Sequence, residues 1–250
     1  MKTFGKKVNE FVQAYTIVII LAIMIIFLSF NSDSFLTVGN FLNLFLQANL
    51  YGIMALGVGV LMINGYFDLS VGMIMSLSAN LVIMMSGINI WLGIVISLAS
   101  GVLCGLINSI CVTKLKLNSL VATLVAEVGL HGVIFLITGA DSHIGKSNGF
   151  KIFGSVAIYK ISILTWIWLV LCIVIAFMLK YTKHGRDTYA IGGNEATARN
   201  SGIKVESIIM KNYMLCGFLA ALAGLLQAAR LNSASPGLGW PNVSMDVLTC

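Results

Sequence analysis

Seven long runs of apolar residues, separated by short polar segments, limit this chain more than any other feature. Each run is close to the roughly 20 residues that a helix needs to cross a bilayer. Only 10% of the 250 residues are charged, whereas ordinary soluble domains carry about 25%. So few charges cannot cover a water-exposed surface, so the sequence predicts an integral membrane protein.

The continuity of these runs indicates helices, because membrane β-strands alternate apolar and polar residues over about 10 positions. We therefore predict an all-α, polytopic transmembrane helical bundle. We expect one transmembrane domain over residues 1–250, since no polar segment is long enough to fold alone. The predicted spans are 11–30, 42–63, 69–86, 90–113, 117–138, 161–179 and 207–229.

Lysine and arginine predict the orientation of the bundle, because cytoplasmic loops of membrane proteins carry an excess of both. With the N-terminus in the cytoplasm, most of the 15 cations fall inside. The exceptions are Lys146, Lys151, Lys160 and Arg230. This orientation puts residues 139–160 outside and makes residues 181–206 a cytoplasmic loop.

The stretch "GADSHIGKSNGF", residues 139–150, is similar to a phosphate-binding loop, with Ala140 in place of the first glycine. Such a loop needs a strand before it and a helix after it, so that backbone N–H groups converge on the phosphates. Here an apolar span precedes the motif, and we expect no helix after it. We therefore interpret the stretch as a hydrophilic loop that binds no nucleotide.

The predicted cytoplasmic loop "KHGRDTYAIGGNEATARNSGIKVES" contains the signals of a short helix. Gly192 and Gly193 predict a flexible turn before it. Asn194 is a favourable N-cap, and Glu195 places a negative charge in the first turn. Gly202 predicts the C-terminal stop. The small side chains of this helix would let another surface approach closely, so we predict a docking helix.

Three motifs carry a resemblance to a known family: "GRDTYAIGGNEATARNSGI" in this loop, "DLSVG" at residues 68–72, and "CGFLAALAGLLQAARLNSASP" at residues 216–236. Together they resemble the ribose-type permeases, which are the membrane subunits of carbohydrate-uptake ABC importers. The resemblance runs from the first span to about Leu248. Members of that family continue past "MDVLT", so we expect a permease domain that is C-terminally incomplete at Cys250.

The resemblance implies a transport subunit of the bacterial cytoplasmic (inner) membrane that is not itself an enzyme. Its partners would be an ABC ATPase, which binds the ATP and magnesium, an extracytoplasmic sugar-binding protein and a second permease copy. It implies no cofactor or metal bound by this chain and no nucleic acid. The sugar, and the choice between a homodimer and a heterodimer, stay open. The residues assigned to ATPase coupling are Gly192, Gly193, Asn194, Glu195, Ala196, Ala198 and Gly202.

A binding protein that delivers sugar would contact residues on the extracytoplasmic side. The hydrophilic loop at residues 139–150 faces that side in the predicted orientation. Its polar side chains are candidates for the contact: Asp141, His143, Lys146 and Asn148.

Polar residues inside the spans are costly and usually face the bundle interior. The candidates for the translocation pathway are Asn64, Asp68, Glu127 and His131. Asp68 also fits a cap of the third helix, with its carboxylate near the N–H groups of Ser70 or Val71. Glu127 and His131 are four residues apart and share a helix face, so we expect them to hydrogen-bond to each other.

Two other functions compete with the importer. A proton-coupled secondary transporter would use Glu127 and His131 as its titrating pair, but it needs no docking helix. A membrane enzyme would need clustered carboxylates, a metal motif or a nucleophile arrangement. The sequence contains no HExxH, GxSxG or DDxxD-like motif.

Overall fold

The computed structural model describes residues 2–159 and 161–250, without the side chains of residues 2–14 and Asn148. The chain forms two compact units, one that ends at Phe45 and one that spans Leu46–Cys250. The helices are α1 (Lys2–Asn31), α2 (Val38–Ile63), α3 (Val71–Met85), α4 (Ile90–Thr113), α5 (Ser119–Thr138), α6 (Asn148–Ser155), α7 (Ile163–Tyr181), α8 (Lys183–Gly193), α9 (Glu195–Asn200), α10 (Val205–Leu231) and α11 (Val243–Thr249). Four two-residue strands are β1 (His143–Ile144), β2 (Ala157–Ile158), β3 (Ile161–Ser162) and β4 (Ser233–Ala234).

Each of the seven predicted apolar runs is helical, which confirms the helical membrane class. Five helices are long and apolar enough to cross a membrane, namely α2, α4, α5, α7 and α10. Helix α1 is interrupted at Tyr15, where the backbone leaves helical geometry (φ −113°, ψ 16°). Helix α3 has only 15 residues. The described structure therefore supports five spans by length and composition, with two shorter apolar helices beside them.

Helix α3 is short because residues 64–70, which precede it, enter the bundle without helical structure. Within this link Asp68 is only 1% exposed. The hydroxyl of Tyr213 donates a hydrogen bond to the carbonyl of Phe67 at 2.9 Å. Tyr213 lies eight residues after the start of α10, which corresponds to about 12 Å along its axis. Non-helical backbone at such depth is tolerated where protein surrounds it or where it lines a water-filled cavity, and the burial of Asp68 fits the first case.

Helix α10 forms the centre of the second unit and packs against α4 and α3 through small residues. A Cβ atom on Gly101 or Gly105 of α4 would collide with backbone atoms of Gly217 or Tyr213 on α10. A Cβ on Gly224 would likewise meet the carbonyl of Met75 on α3. Close backbone approach through small residues is the usual way in which helices associate in lipid.

The phosphate-loop stretch is tied to the end of α10. Strand β1 pairs antiparallel with β4, and the N–H of Gly145 donates to the carbonyl of Asn232 at 2.9 Å. The expectation that no helix follows the motif is wrong, because α6 begins at Asn148 and the Ser147 hydroxyl accepts from the N–H of Phe150. Helix α5 precedes the stretch. Within residues 119–155 no strand precedes the motif, and the two-residue strand β1 lies inside it, so the strand that a phosphate-binding loop requires before its first residue is missing.

Candidate functional site

Helices α8 and α9 form what we call the coupling hairpin, residues 183–200. The side chain of Asn194 caps α9 by accepting from the N–H of Thr197 at 2.8 Å, and Gly202 has a φ of 82°. The predicted cap and glycine stop are therefore present. The predicted turn at Gly192 and Gly193 is wrong, since both belong to the last turn of α8. Glycine is needed at Gly192 because its backbone packs directly against the carbonyl of Ile63.

The coupling hairpin exposes most of α9. Of its six residues, only Ala198 is buried. Ala196, the other small residue predicted to dock a partner, is exposed, as are Glu195 and Arg199. Ala198 therefore packs α9 against the rest of the chain, while Ala196 lies on the exposed side of the helix.

A buried polar cluster joins the coupling hairpin to the spans. We call it the amide cluster, and it consists of Asn64, His184, Thr188 and Asn212. Asn212 donates to the side-chain oxygen of Asn64 and to the Thr188 hydroxyl at 3.3 Å. The Asn212 oxygen lies 2.7 Å from Nε2 of His184, which therefore carries the proton. Asn64 donates to the Thr188 carbonyl at 2.8 Å.

The amide cluster fixes three elements to one another: α8, the end of α2 and the first half of α10. Thr188 and Asn212 are fully buried, and Asn64 is 6% exposed. Buried amides that lose a partner cost about 1–3 kcal/mol each. Because each amide here has partners for both its nitrogen and its oxygen, the cluster favours one arrangement of the hairpin over others.

Charged residues form a second, exposed connection beside α9. Arg199 bonds to Glu206 at 2.6 Å and to Glu195 at 3.1 Å. The carboxylates of Glu206 and Glu195 raise the pKa of the Arg199 guanidinium. Burial and the neighbouring Glu195 raise the pKa of Tyr66 to about 12, so at neutral pH its hydroxyl donates to Glu195 at 3.2 Å. These groups and Lys116 line a cavity of about 470 Å³.

Asp68 lies in a separate buried cluster in the link before α3. Its carboxylate accepts from the N–H of Ser70 at 2.9 Å and from the Ser70 hydroxyl at 2.6 Å. Asn108 of α4 donates to both carboxylate oxygens at 3.3 Å, and the N–H of Leu69 donates to Thr123 of α5. The predicted bond to the N–H of Ser70 is present, although Ser70 itself occupies the cap position of α3.

The structure does not bring Glu127 and His131 together by a hydrogen bond. Glu127 accepts from the Ser244 hydroxyl of α11 at 3.1 Å. The ring of His131 stacks on Trp240, with centroids 4.6 Å apart, and meets Phe135 edge to face. The expected Glu127–His131 bond is therefore wrong, because residues 240–244 supply another partner to each side chain.

The candidate residues in the loop at residues 139–150 differ in how closely they contact the helices. His143 bonds to the carbonyl of Thr138, and the N–H of Lys146 donates to Ser86. The Asp141 side chain is exposed. The side chain of Asn148 lies outside the described part of the chain.

Sequence reasoning missed Thr188 and Asn212, which hold the coupling hairpin, and Ser244, which binds Glu127. Asn212 carried a usable signal, since an amide within the apolar run of α10 must find a partner. Thr188 and Ser244 carried none, because a hydroxyl in a polar loop or near a chain end is ordinary.

The chain is similar in sequence to known membrane transport proteins. A family model described as "branched-chain amino acid transport system / permease component" matches residues 40–249. The chain is similar to the ribose import permease protein RbsC of Escherichia coli K12, with 35% identity over 88% of this chain and 71% of the relative. It is also similar to the protein of the same name in Bacillus subtilis 168, with 38% identity over 94% of this chain and 72% of the relative.

A third relative is the D-allose transport system permease protein AlsC of Escherichia coli K12, with 31% identity over 92% of this chain and 72% of the relative. No solved structure matches the chain.

Proposed function

The chain belongs to the family of permease components of branched-chain amino acid transport systems, and from that premise we propose that it carries a simple sugar across the membrane in an ATP-driven importer. The relatives named above are permeases for ribose and D-allose. A further relative, from Salmonella typhimurium, is named for galactose and methyl galactoside. Small sugars are therefore the substrate class in the names of these four relatives.

The proposed assembly contains two permease copies, an ATPase on the cytoplasmic face and a binding protein on the opposite face. The N-terminus and the coupling hairpin lie in the cytoplasm, as the distribution of lysine and arginine favours. The two shorter apolar helices join the five long ones as spans, which gives seven. The polar loop residues Asp141, His143 and Lys146 then lie on the side from which sugar is delivered.

One observation carries this proposal most directly. The coupling hairpin exposes Ala196 and its neighbours on α9, while the amide cluster holds α8 against α2 and α10. A helix that binds a partner on its exposed side and is fixed to two spans transmits the movement of that partner to those spans. Movement driven by ATP in the partner would change access to the pathway in this way.

The pathway candidates take different parts in this proposal. Asp68 and Glu127 lie among buried polar groups in the bundle interior, where we propose that they support the pathway. Asn64 belongs to the amide cluster, so we propose that it positions the coupling hairpin. His131 stacks on Trp240, and we propose that this pair holds residues 240–244 beside α5.

Substitution on the exposed side of α9 tests the proposal. The variant Ala196→Arg is compared with Ser155→Arg, which adds the same side chain to an exposed small residue of α6. Both are reconstituted with the ATPase and a ribose-loaded binding protein in proteoliposomes. We expect Ala196→Arg to lower ATP-driven uptake and ATPase retention at least about tenfold, because a buried unpaired charge costs several kcal/mol at an interface.

The control is expected to keep both activities. Uptake by the wild-type chain that is insensitive to ATP depletion but abolished by an uncoupler would contradict the proposal. It would favour a proton-coupled transporter instead.

A further inference from the structure

A cavity at the other end of α10 from the coupling hairpin is surrounded by polar side chains that no contact described so far uses. It has a volume of about 250 Å³ and lies between α2, α10 and the segment that follows α10. We call it the outer cavity. Its polar lining consists of Gln47, Tyr51, Gln227 and Arg230.

These four side chains have no hydrogen-bond or ion-pair partner in the part of the chain that the structure describes, which sets them apart from the amide cluster. The side-chain oxygen of Gln227 is buried and unpaired. An unpaired buried oxygen costs about 1–3 kcal/mol. Gln227 lines the cavity, and the torsion of its terminal amide is broad, so the amide can adjust to a ligand there.

The donors and acceptors around the outer cavity indicate the chemistry of its ligand. Gln47 and Gln227 each offer an oxygen acceptor and two N–H donors, Tyr51 offers a hydroxyl, and Arg230 offers only donors. A simple anion such as phosphate presents mostly acceptors, which suit Arg230, and few donors for the side-chain oxygens of Gln47 and Gln227. An apolar ligand would leave all four groups unpaired. A solute that carries several hydroxyl groups supplies donors and acceptors at short spacing.

The rest of the lining suits the same ligand. Met54 and Met75 contribute an apolar wall beside the polar groups, which fits the C–H face of a sugar ring. The volume is below the roughly 300–1,000 Å³ of sites for drug-sized ligands. It is about eight times the 30 Å³ that a water molecule occupies in the liquid, so it accepts a solute of a few small groups.

We propose that the outer cavity binds a small polyhydroxylated solute through Gln227, Tyr51, Gln47 and Arg230. The proposal rests on the proposed sugar import, since it makes this cavity a place where the imported sugar contacts the permease. Gln227 makes the contact that depends most on a hydroxyl donor.

A protection measurement tests the proposal without requiring transport. Leu238, a partly buried apolar residue of the cavity lining, is changed to cysteine in a full-length chain whose five native cysteines are replaced. The chain is placed in lipid nanodiscs and treated with a polar methanethiosulfonate reagent, with or without D-ribose, D-allose or inorganic phosphate. We expect either sugar to slow modification, and phosphate to leave it unchanged.

Two further variants identify the contact. Gln227→Met keeps the side-chain volume but removes the amide, and we expect it to raise the half-protecting sugar concentration about tenfold, as for one lost hydrogen bond. Met75→Leu changes the same cavity without changing a polar group, and we expect a change below about twofold. Equal protection in wild type and Gln227→Met, protection by phosphate alone, or no protection by either sugar would overturn the proposal.

Uptake by wild-type proteoliposomes separates this outcome from failure of the proposed function. ATP-driven ribose or allose uptake without sugar protection of Leu238→Cys would leave the importer standing and reject the cavity. Sugar protection in the absence of ATP-driven uptake would support the cavity and reject the importer.

Discussion

The polar side chains at the two ends of α10 differ in how fully they are hydrogen-bonded. At the end near the coupling hairpin, Asn212 is fully buried and bonded to three side chains. At the other end, Gln227 has a buried oxygen without a partner, and Arg230 has no ion-pair partner among the described residues. One end of the same helix is satisfied within the protein, and the other leaves hydrogen-bonding capacity unused.

This difference follows from what each end is proposed to do. A connection that transmits force must hold one geometry, and a fully bonded buried cluster favours a single arrangement. A site that takes up and releases a solute must keep groups available for it, at some cost to stability. Unpaired polar groups therefore mark the outer cavity as a place for a ligand, and paired groups mark the amide cluster as a structural joint.

The largest expected effect comes from removing hydrogen bonds of the amide cluster, at the end of α10 near the coupling hairpin. Asn212→Leu replaces the amide by an apolar side chain of similar size and removes one hydrogen bond each from His184, Asn64 and Thr188. We expect a loss of about 3 kcal/mol in the free energy of unfolding, since each buried group left unpaired costs about 1–3 kcal/mol and neighbours relax in part. Thermal or denaturant unfolding in detergent measures this loss.

Asn89→Leu provides a matched control for that experiment. The amide of Asn89 only caps α4 at an exposed position, so we expect a loss of about 1 kcal/mol. A smaller loss for Asn212→Leu than for Asn89→Leu would mean that the amide cluster is not a structural joint.

A smaller effect, of opposite sign, is expected at the unsatisfied end. Gln227→Met removes the unpaired oxygen while it keeps the volume of the side chain. We expect the chain without sugar to gain about 1 kcal/mol in unfolding free energy, because an unsatisfied buried group is removed. The same unfolding measurement applies. A loss similar to that of Asn212→Leu would show that both ends of α10 are built alike.

Much of this fold follows from the sequence, because a long, continuous apolar run in lipid must form a helix to pair its backbone N–H and C=O groups. The cap at Asn194 and the stop at Gly202 were predictable, since both depend on neighbouring residues alone. The predicted turn at Gly192 was wrong. Glycine is required there because its backbone packs against the carbonyl of Ile63, which is distant in sequence. Local signals cannot indicate such a contact.

The site was less predictable than the fold for the same reason. Glu127 and His131 are suitably spaced on α5 to bond to each other. They instead contact Ser244 and Trp240, which are more than 100 positions away in the sequence. The amide cluster joins residues separated by up to 148 positions. Helical spacing indicates which residues share a face and does not indicate which other element covers that face.

The central claim is that the amide cluster connects the coupling hairpin to the spans. The most direct test is the number of sugar molecules imported per ATP hydrolysed in proteoliposomes that contain Thr188→Val or Thr188→Ser. The Thr188 hydroxyl donates to the carbonyl of His184 at 2.9 Å and accepts from Asn212; valine removes both bonds and serine keeps them.

The account predicts that Thr188→Val keeps ATP hydrolysis but imports about tenfold less sugar per ATP, the effect of about 1.4 kcal/mol of lost coupling, while Thr188→Ser matches the wild type. An unchanged ratio of sugar to ATP in Thr188→Val, with the ATPase still bound, would contradict the claim.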